Sequence, residues 1–278
     1  MSRVRTFIAI NGAAGRMGRR LVALANESET MEAVVALEAP ESPHLGQDAC
    51  QLAGHSGPPL PMTATWPVEN GKPVHADVLI DFSAPPGFRA AVKICDQLAA
   101  AGKPIALVVG TTGLTADDHQ QIDDAAKRFA ILQAANMSLG VNLLLGLAAQ
   151  VAVRLGDDYD IEIVEAHHRF KVDAPSGTAL AIAQAVCEAT GKDITKDLVH
   201  GRHGGHVPRQ RGEIGMHALR SGDVVGRHTI SFGTLGEELS LSHVASTRDV
   251  FARGALKAAQ WLAGKPAGRY SMKDVLGL

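Results

Sequence analysis

Two groups of residues in this sequence have the types and spacing for chemistry. The denser one runs Glu165-Ala166-His167-His168-Arg169-Phe170-Lys171-Val172-Asp173-Ala174-Pro175-Ser176-Gly177-Thr178. It closes on Ser176, Gly177 and Thr178, a hydroxyl-bearing cap with backbone N–H groups at a helix start, which suits a carboxylate. His168 and Lys171 add positive charge beside it, so an anionic substrate is implied. His167 and Lys171 can also move protons near neutral pH. That is what is needed when hydride adds to one carbon of a conjugated system and a proton must reach its neighbour. A lone histidine is more often a solvated or core-bonded ring. Two histidines, an arginine and a lysine against one helix start weaken that plain reading.

The second group is Asn11-Gly12-Ala13-Ala14-Gly15-Arg16-Met17-Gly18, after a β-rich run Val4 to Ile10 and before a Leu/Ala-rich helix. Gly12, Gly15 and Gly18 spell G-x-x-G-x-x-G, a variant of the dinucleotide fingerprint. Small residues let the backbone turn tightly and approach a pyrophosphate, which the N–H groups and dipole of the helix start then meet. Glu38 follows 20 positions after Gly18, where a carboxylate accepts from adenosine ribose hydroxyls. Two more loops follow strand-like runs: Gly110, Thr111, Thr112 and Gly113, then Ala134, Ala135, Asn136, Met137 and Ser138. On residue type alone they suit either a nicotinamide ring with its ribose, or caps and turns.

The elements that must position these groups change character along the chain. Up to about residue 138, strand candidates Val4 to Ile10, Ala33 to Leu37, Val78 to Phe82, Ile105 to Val109 and Phe129 to Leu132 alternate with helices. Such apolar strands predict a doubly wound parallel sheet with ligands at the strand carboxyl ends. The Pro-rich stretch Gly57 to Pro67 reads as an irregular surface excursion. After Ser138 the pattern is α+β: a long helix, a strand Tyr159 to Ala166, a helix from about Thr178, and strand-like runs Ile214 to Arg220, Val224 to Phe232 and Leu239 to Ser246. Ser221-Gly222-Asp223 reads as hairpin punctuation, predicting antiparallel pairing in an open sheet that invites a partner subunit. Val250 to Gly264 has helical spacing and is expected to pack with the first domain.

At 278 residues the chain fits about two domains of ~100–200 residues each. Its 27 basic and 29 acidic side chains, formal charge −2, give no field for nucleic acid or an anionic membrane. Cys50, Cys95 and Cys187 are too few and scattered for a disulfide framework or closed zinc site. The apolar run Leu139 to Val153 falls short of the ~18–20 residues of a membrane span and reads as a buried helix. The apolar run Phe7 to Ile10 is too short for a signal peptide, so a cytoplasmic protein is expected. His200, His203 and His206 lie among glycines without carboxylate or cysteine partners, and no metal is expected. Arg202, Arg209 and Arg211 reach an anionic ligand or, by default, solvent.

The run EAHHRFKVDAPSGTAL (Glu165 to Leu180), with GAAGRMG at Gly12 to Gly18 and VVGTTG at Val108 to Gly113, resembles the 4-hydroxy-tetrahydrodipicolinate reductase family, also called dihydrodipicolinate reductases. The resemblance extends over essentially the whole chain, through Ser221 to Gly226 and Phe251 to Leu256. It implies a Rossmann-like dinucleotide-binding domain, residues 1–138 and 248–278. A substrate, catalytic and tetramerisation domain with an open mixed sheet, residues 139–247, completes the α/β fold. The implied reaction uses NADH or NADPH on a cyclic dicarboxylate, with loss of water at the 4-position, in the diaminopimelate route to lysine. By the same resemblance His167 is the acid/base, Lys171 the proton donor, and His168, Gly177 and Thr178, beside Ser176, bind substrate carboxylates. Gly12, Ala13, Ala14, Gly15, Arg16, Met17, Glu38, Gly110, Thr111, Thr112, Ala134, Ala135, Asn136 and Met137 line the cofactor site. A homotetramer and hinges near Ser138 and Thr247 are also implied. Ala39 stands where some members carry an arginine for the NADPH 2′-phosphate, Phe170 replaces a histidine of some members, and Met137 a frequent phenylalanine. The competing readings are a nucleotide-binding sensor without turnover and a reductase of another small acid. An intact His167 and Lys171 pair favours an enzyme over the sensor.

Overall fold

A computed structural model describes residues 5–278. In chain order its elements are β1 (Thr6–Asn11), α1 (Arg16–Asn26), β2 (Met31–Leu37), α2 (Ala49–Leu52), β3 (Met62–Thr63), β4 (Val68–Glu69), β5 (Lys72–Pro73), β6 (Val78–Asp81), α3 (Pro85–Ala100), β7 (Ala106–Val109), α4 (Ala116–Ala125) and β8 (Ala130–Gln133). There follow α5 (Leu139–Leu155), β9 (Asp160–His167), α6 (Gly177–Thr190), α7 (Ile194–Asp197), β10 (Leu198–His200), β11 (Ile214–Arg220), β12 (Gly226–Thr234), β13 (Glu237–Ala245), α8 (Asp249–Leu262), β14 (Gly268–Tyr270) and α9 (Met272–Leu276). Two compact units result, one from the chain up to Ser138 together with Asp249–Leu278, the other from Leu139–Arg248.

In the first unit seven parallel strands lie in the order β14-β8-β7-β6-β1-β2-β3. From β1 the chain winds outward through α1 to β2; it then returns to β6 and winds the other way through α3 and α4. Right-handed crossovers in opposite directions put helices on both faces, which is why β6 and β7 are buried at every position. The five expected strands form within two residues of their expected ends, and Val4 lies outside the described residues. The Pro-rich stretch yields only the two residues of β3 at the sheet edge, where missing N–H donors are tolerated. That edge strand and its opposite number, β14, have too few residues for a readable pattern.

The second unit holds a five-stranded sheet in the order β10-β11-β9-β12-β13. β10, β11 and β9 run parallel, while β12 is antiparallel to both β9 and β13. The hairpin expected at Ser221-Gly222-Asp223 does not form, because β9 lies between β11 and β12. The turn carries the chain across the end of β9, with the Ser221 N–H donating to the His167 carbonyl at 2.9 Å. The true hairpin joins β12 to β13. Ile161 and Ile163 of β9, Ile214 and Met216 of β11, and Ile230 and Phe232 of β12 pack with Leu144, Ala148 and Ala152 of α5 and Ile182 and Val186 of α6. The other sheet face stays open, with Val164, Leu219 and Val244 exposed on it.

α5 is the long helix expected after Ser138, but it corrects the expectation that its apolar run falls short of a membrane span and is buried. With the 3-10 turn after it, Leu139 to Asp158 spans 20 residues at mean hydropathy 1.6, long and apolar enough to cross a membrane, yet only one face is buried. That face is the row Val141, Leu144, Ala148 and Ala152, the one-sided pattern of a helix lying on a core. Nor do Arg202 and Arg209 stand in solvent. Arg202 pairs with Glu162 at 3.0 Å and with Glu213, and Arg209 pairs with Asp160 at 2.8 Å and with Glu162. They fasten the segment between β10 and β11 to β9.

Candidate active site

Parallel strands bring their following loops to one edge of the first unit's sheet, so Gly12 to Met17, Glu38, Gly110 to Thr112 and Ala134 to Met137 all gather there. Sheet order reverses between β1 and β6, the point at which such folds take their ligands. Gly12 has φ +78°, and a Cβ on it would stand 2.9 Å from the Phe82 carbonyl oxygen. Only glycine fits both demands. A Cβ on Gly18 would overlap the Gly12 carbonyl and stand 2.7 Å from the Ala13 Cα. Gly15 caps α1 without any side-chain acceptor, leaving the helix start to meet an anion. The set fits a dinucleotide pyrophosphate.

Glu38 follows β2, and its Oε1 accepts from the Ala14 N–H at 2.7 Å, so the carboxylate is tied to the glycine loop itself. Arg19 holds the other side of that residue, Nε donating to the Ala14 carbonyl at 2.7 Å. The loop after β7 is tied to the loop after β6 by Thr111, and the loop after β8 is tied to β7 by the Ala134 N–H on the Val109 carbonyl at 3.1 Å. Asn136 accepts from the Ser138 N–H at 2.9 Å, while Met137 is buried, its carbonyl packed against Gly254 of α8 where no Cβ would fit. Asp81, a buried polar residue at the end of β6, had no role in the sequence reading, and Asn11, buried at the end of β1, stood at the head of the glycine run without one. A polar strand end looks like any turn signal.

In the second unit the site follows from strand register. Glu165 and His167 are two apart on β9 and share its inward face. Arg220 of β11 stands opposite His167, and His228 of β12 stands opposite Glu165. Arg220 grips Glu165 with two bonds of 2.8 and 2.9 Å, and His167 Nδ1 meets the same carboxylate at 2.6 Å. The Ser176 N–H donates to it at 3.1 Å. Burial pushes the Glu165 carboxyl up, but Arg220 and His167 outweigh it and leave the group below its ordinary value. The carboxylate therefore orients His167 through Nδ1 and turns Nε2 outward. Gly226 keeps that nitrogen clear, since a Cβ there would come within 3.2 Å of it.

Ser176 caps α6, its hydroxyl accepting from the Ala179 N–H at 3.2 Å and meeting His228 Nε2 at 3.0 Å. Burial, then the charge of His167, lowers the His228 pKa to about 4, so its ring is neutral. Gly177 faces open space at the helix start, with Thr178 next to it. Lys171 sits on Asp173, both carboxylate oxygens at 2.8 Å, and Arg220 holds the same loop through the Asp173 carbonyl at 2.6 Å. His168 is half-buried nearby, its ring 6.3 Å from that of Phe170. His167, His168, Lys171, Ser176, Gly177 and Thr178 thus come from one strand end, one loop and one helix start. Glu165 was visible in the sequence run without a role. Arg220, His228 and Gly226 lay far along the chain, and only the sheet register reveals them.

Comparisons with known proteins agree across both units. Residues 6–137 match the family model described as dihydrodipicolinate reductase, N-terminus, and residues 140–276 the one described as dihydrodipicolinate reductase, C-terminus. The 4-hydroxy-tetrahydrodipicolinate reductase of Alkalilimnicola ehrlichii is 46% identical over 98% of this chain and 99% of the relative. That of Afipia carboxidovorans is 45% identical, covering 100% and 98% of the two chains. Among solved structures, the dipicolinate-bound dihydrodipicolinate reductase from Paenisporosarcina sp. TG-14 superposes with a TM-score of 0.69 at 22% identity, over 96% of this chain and 98% of the other. That likeness shows the fold.

Proposed function

This chain belongs to the dihydrodipicolinate reductase family, and from that premise we propose which of its residues carry the reaction. The activity is NAD(P)H-dependent reduction of 4-hydroxy-tetrahydrodipicolinate to tetrahydrodipicolinate with loss of water, in the diaminopimelate route to lysine. The cofactor, when bound, supplies a hydride to a carbon of the conjugated ring. The protein's part is to hold the dicarboxylate and to deliver a proton to the neighbouring atom.

The substrate carboxylates bind at the start of α6, on the N–H groups and hydroxyls of Ser176, Gly177 and Thr178, with His168 alongside. Lys171 is the proton donor. It leaves Asp173 when a substrate carboxylate offers the same charge, and its ammonium then faces the ring. His167 acts as acid/base through Nε2, because Glu165 occupies Nδ1 and stabilises the imidazolium. The observation that carries this reading is the single carboxylate of Glu165, shared by His167, Arg220 and the cap of α6. It fixes the base and the anion site relative to one another.

The cofactor is NADH or NADPH, held by Gly12 to Met17, Glu38, Gly110 to Thr112 and Ala134 to Met137. Glu38 repels a 2′-phosphate and Ala39 offers no cation, which favours NADH. The open sheet face bears Val164, Leu219 and Val244 beside a hydroxyl row of Ser231, Ser240 and Ser242, and we assign it to contacts in a homotetramer. A cytoplasmic setting fits three free, buried cysteines. The test is Lys171→Ala. With freshly generated substrate, its kcat should fall by about 10²–10⁴-fold while the NADH Kd holds; turnover retained within a fewfold at saturation would refute the assignment.

A further inference from the structure

Asp81 ends β6 beside the point where the sheet order reverses, and it is fully buried. Its carboxylate accepts from Asn11 Nδ2 at 2.8 Å, from Ser83 Oγ at 2.5 Å and from Thr111 Oγ1 at 2.7 Å. Thr111 Oγ1 in turn accepts from the Ser83 N–H at 3.0 Å, and Asn11 also donates to the Gly87 carbonyl at 3.1 Å. One side chain thus joins the loops after β1, β6 and β7. Each of these partners is neutral, so the carboxylate is buried among dipoles without a cation in its hydrogen-bonding shell. Burial accordingly pushes its carboxyl above the ordinary value, against the pull of the hydrogen bonds from Ser83, Thr111 and Asn11.

Most of this knot could be tied without a charge. An asparagine in the same place accepts from Asn11 and Ser83 through its oxygen and donates to Thr111 Oγ1 through its nitrogen, with the Thr111 hydroxyl proton left to find another acceptor. It would do so without the desolvation that a buried anion incurs. The charge itself calls for a role, and the established reaction contains one. Hydride leaves the dihydronicotinamide with both electrons of its C–H bond and adds to the substrate carbon. The ring is oxidised and gains one positive charge, the substrate is reduced, and the acid side chain supplies the proton.

We propose that Asp81 maintains a negative charge beneath the loops after β1, β6 and β7 that favours the cationic, oxidised nicotinamide over the neutral, reduced one and so assists hydride departure. The inference rests on the reading above that these loops hold the nicotinamide end of the cofactor. Asp81 reaches the ring through Ser83 and Thr111 and by its field, and is a positioning residue.

The experiment is a titration of NADH and of NAD⁺ into the wild-type protein, Asp81→Asn and Thr111→Val, without substrate. In Asp81→Asn the ratio of the NAD⁺ Kd to the NADH Kd should rise by about fivefold, the size expected for one charge at partial screening. Thr111→Val keeps the charge and should weaken both forms alike. Equal changes in both constants for Asp81→Asn, or no change in either, would overturn the proposal. A wild-type protein that bound neither form would overturn the cofactor reading, and the proposal with it. Circular dichroism checks folding, and Asp81→Ser, a second neutral side chain, carries the same expectation if the amide variant does not fold.

Discussion

The nucleotide cradle proposed for the first unit and the proton-handling cluster proposed for the second solve opposite problems. The cradle is made of backbone: Gly12 at positive φ, Gly15 as a cap without a side chain, Gly18 pressed on the Gly12 carbonyl. The cluster is made of side chains: Glu165, Arg220, His167 and His228, aligned across three strands. A pyrophosphate is held by N–H dipoles at close range, so what matters there is volume. Proton transfer and carboxylate binding need titratable and ionic groups, so what matters in the cluster is charge. The difference teaches which kind of change each region tolerates.

The largest effect expected from this contrast is a pH dependence centred on His228 in the second unit. Burial, then the His167 charge, holds His228 at about 4 against 6.5 for the free side chain. The folded chain binds fewer protons at this ring than the unfolded one, so stability falls as pH drops from about 6.5 to about 4, by about 3 kcal/mol in all. His228→Gln should flatten that decline, read as amide hydrogen exchange of β9 and β12 at several pH values. Parallel losses in both proteins would break the contrast. Next in size is Gly18→Ala, which changes no charge. Overpacking against backbone should cost about 1–3 kcal/mol and raise the NADH Kd at least tenfold, that is about 1.4 kcal/mol, by titration. Gly177→Ala, whose Cβ meets open space, should leave NADH affinity intact; equal effects from the two would show that the glycines are not discriminating volume. The smallest is Ala39→Arg. Wild-type kcat/KM for NADH should at least equal that for NADPH, and the added cation should shift the ratio toward NADPH by up to about tenfold, measured at fixed ionic strength. A wild-type preference for NADPH of tenfold or more would break the electrostatic reading of Glu38.

The first unit was legible because its signals are local. Apolar runs set the strands, and Gly12 to Gly18 with Glu38 mark the ligand edge within a single βαβ unit. Asp81 escaped notice because nothing about a single aspartate after Val78 to Ile80 tells a buried carboxylate from a turn residue; its partners Asn11 and Thr111 lie at the end of β1 and in the loop after β7. In the second unit the run Glu165 to Thr178 was legible for the same reason, its residues being neighbours in sequence. The topology around it was not. Ser221-Gly222-Asp223 has hairpin chemistry whether the next strand pairs with the last one or passes over an intervening strand, and turn residues carry no information about what lies between. With the register hidden, Arg220 and His228 could not be placed on either side of Glu165.

That intervening strand has a consequence for the order in which the second unit assembles. β9 pairs with β11 and β12, and both arrive only after the long connection through α6 and β10. β12 and β13 need only their short turn. Nearby pairings close at small loop entropy, while distant ones wait on it. The β12 and β13 hairpin and the contact of α5 with α6 are therefore expected first, and the threading of β9 between its two neighbours last. Glu165 meets Arg220 and His228 only at that last step, so the site proposed for this unit would report completed folding rather than collapse.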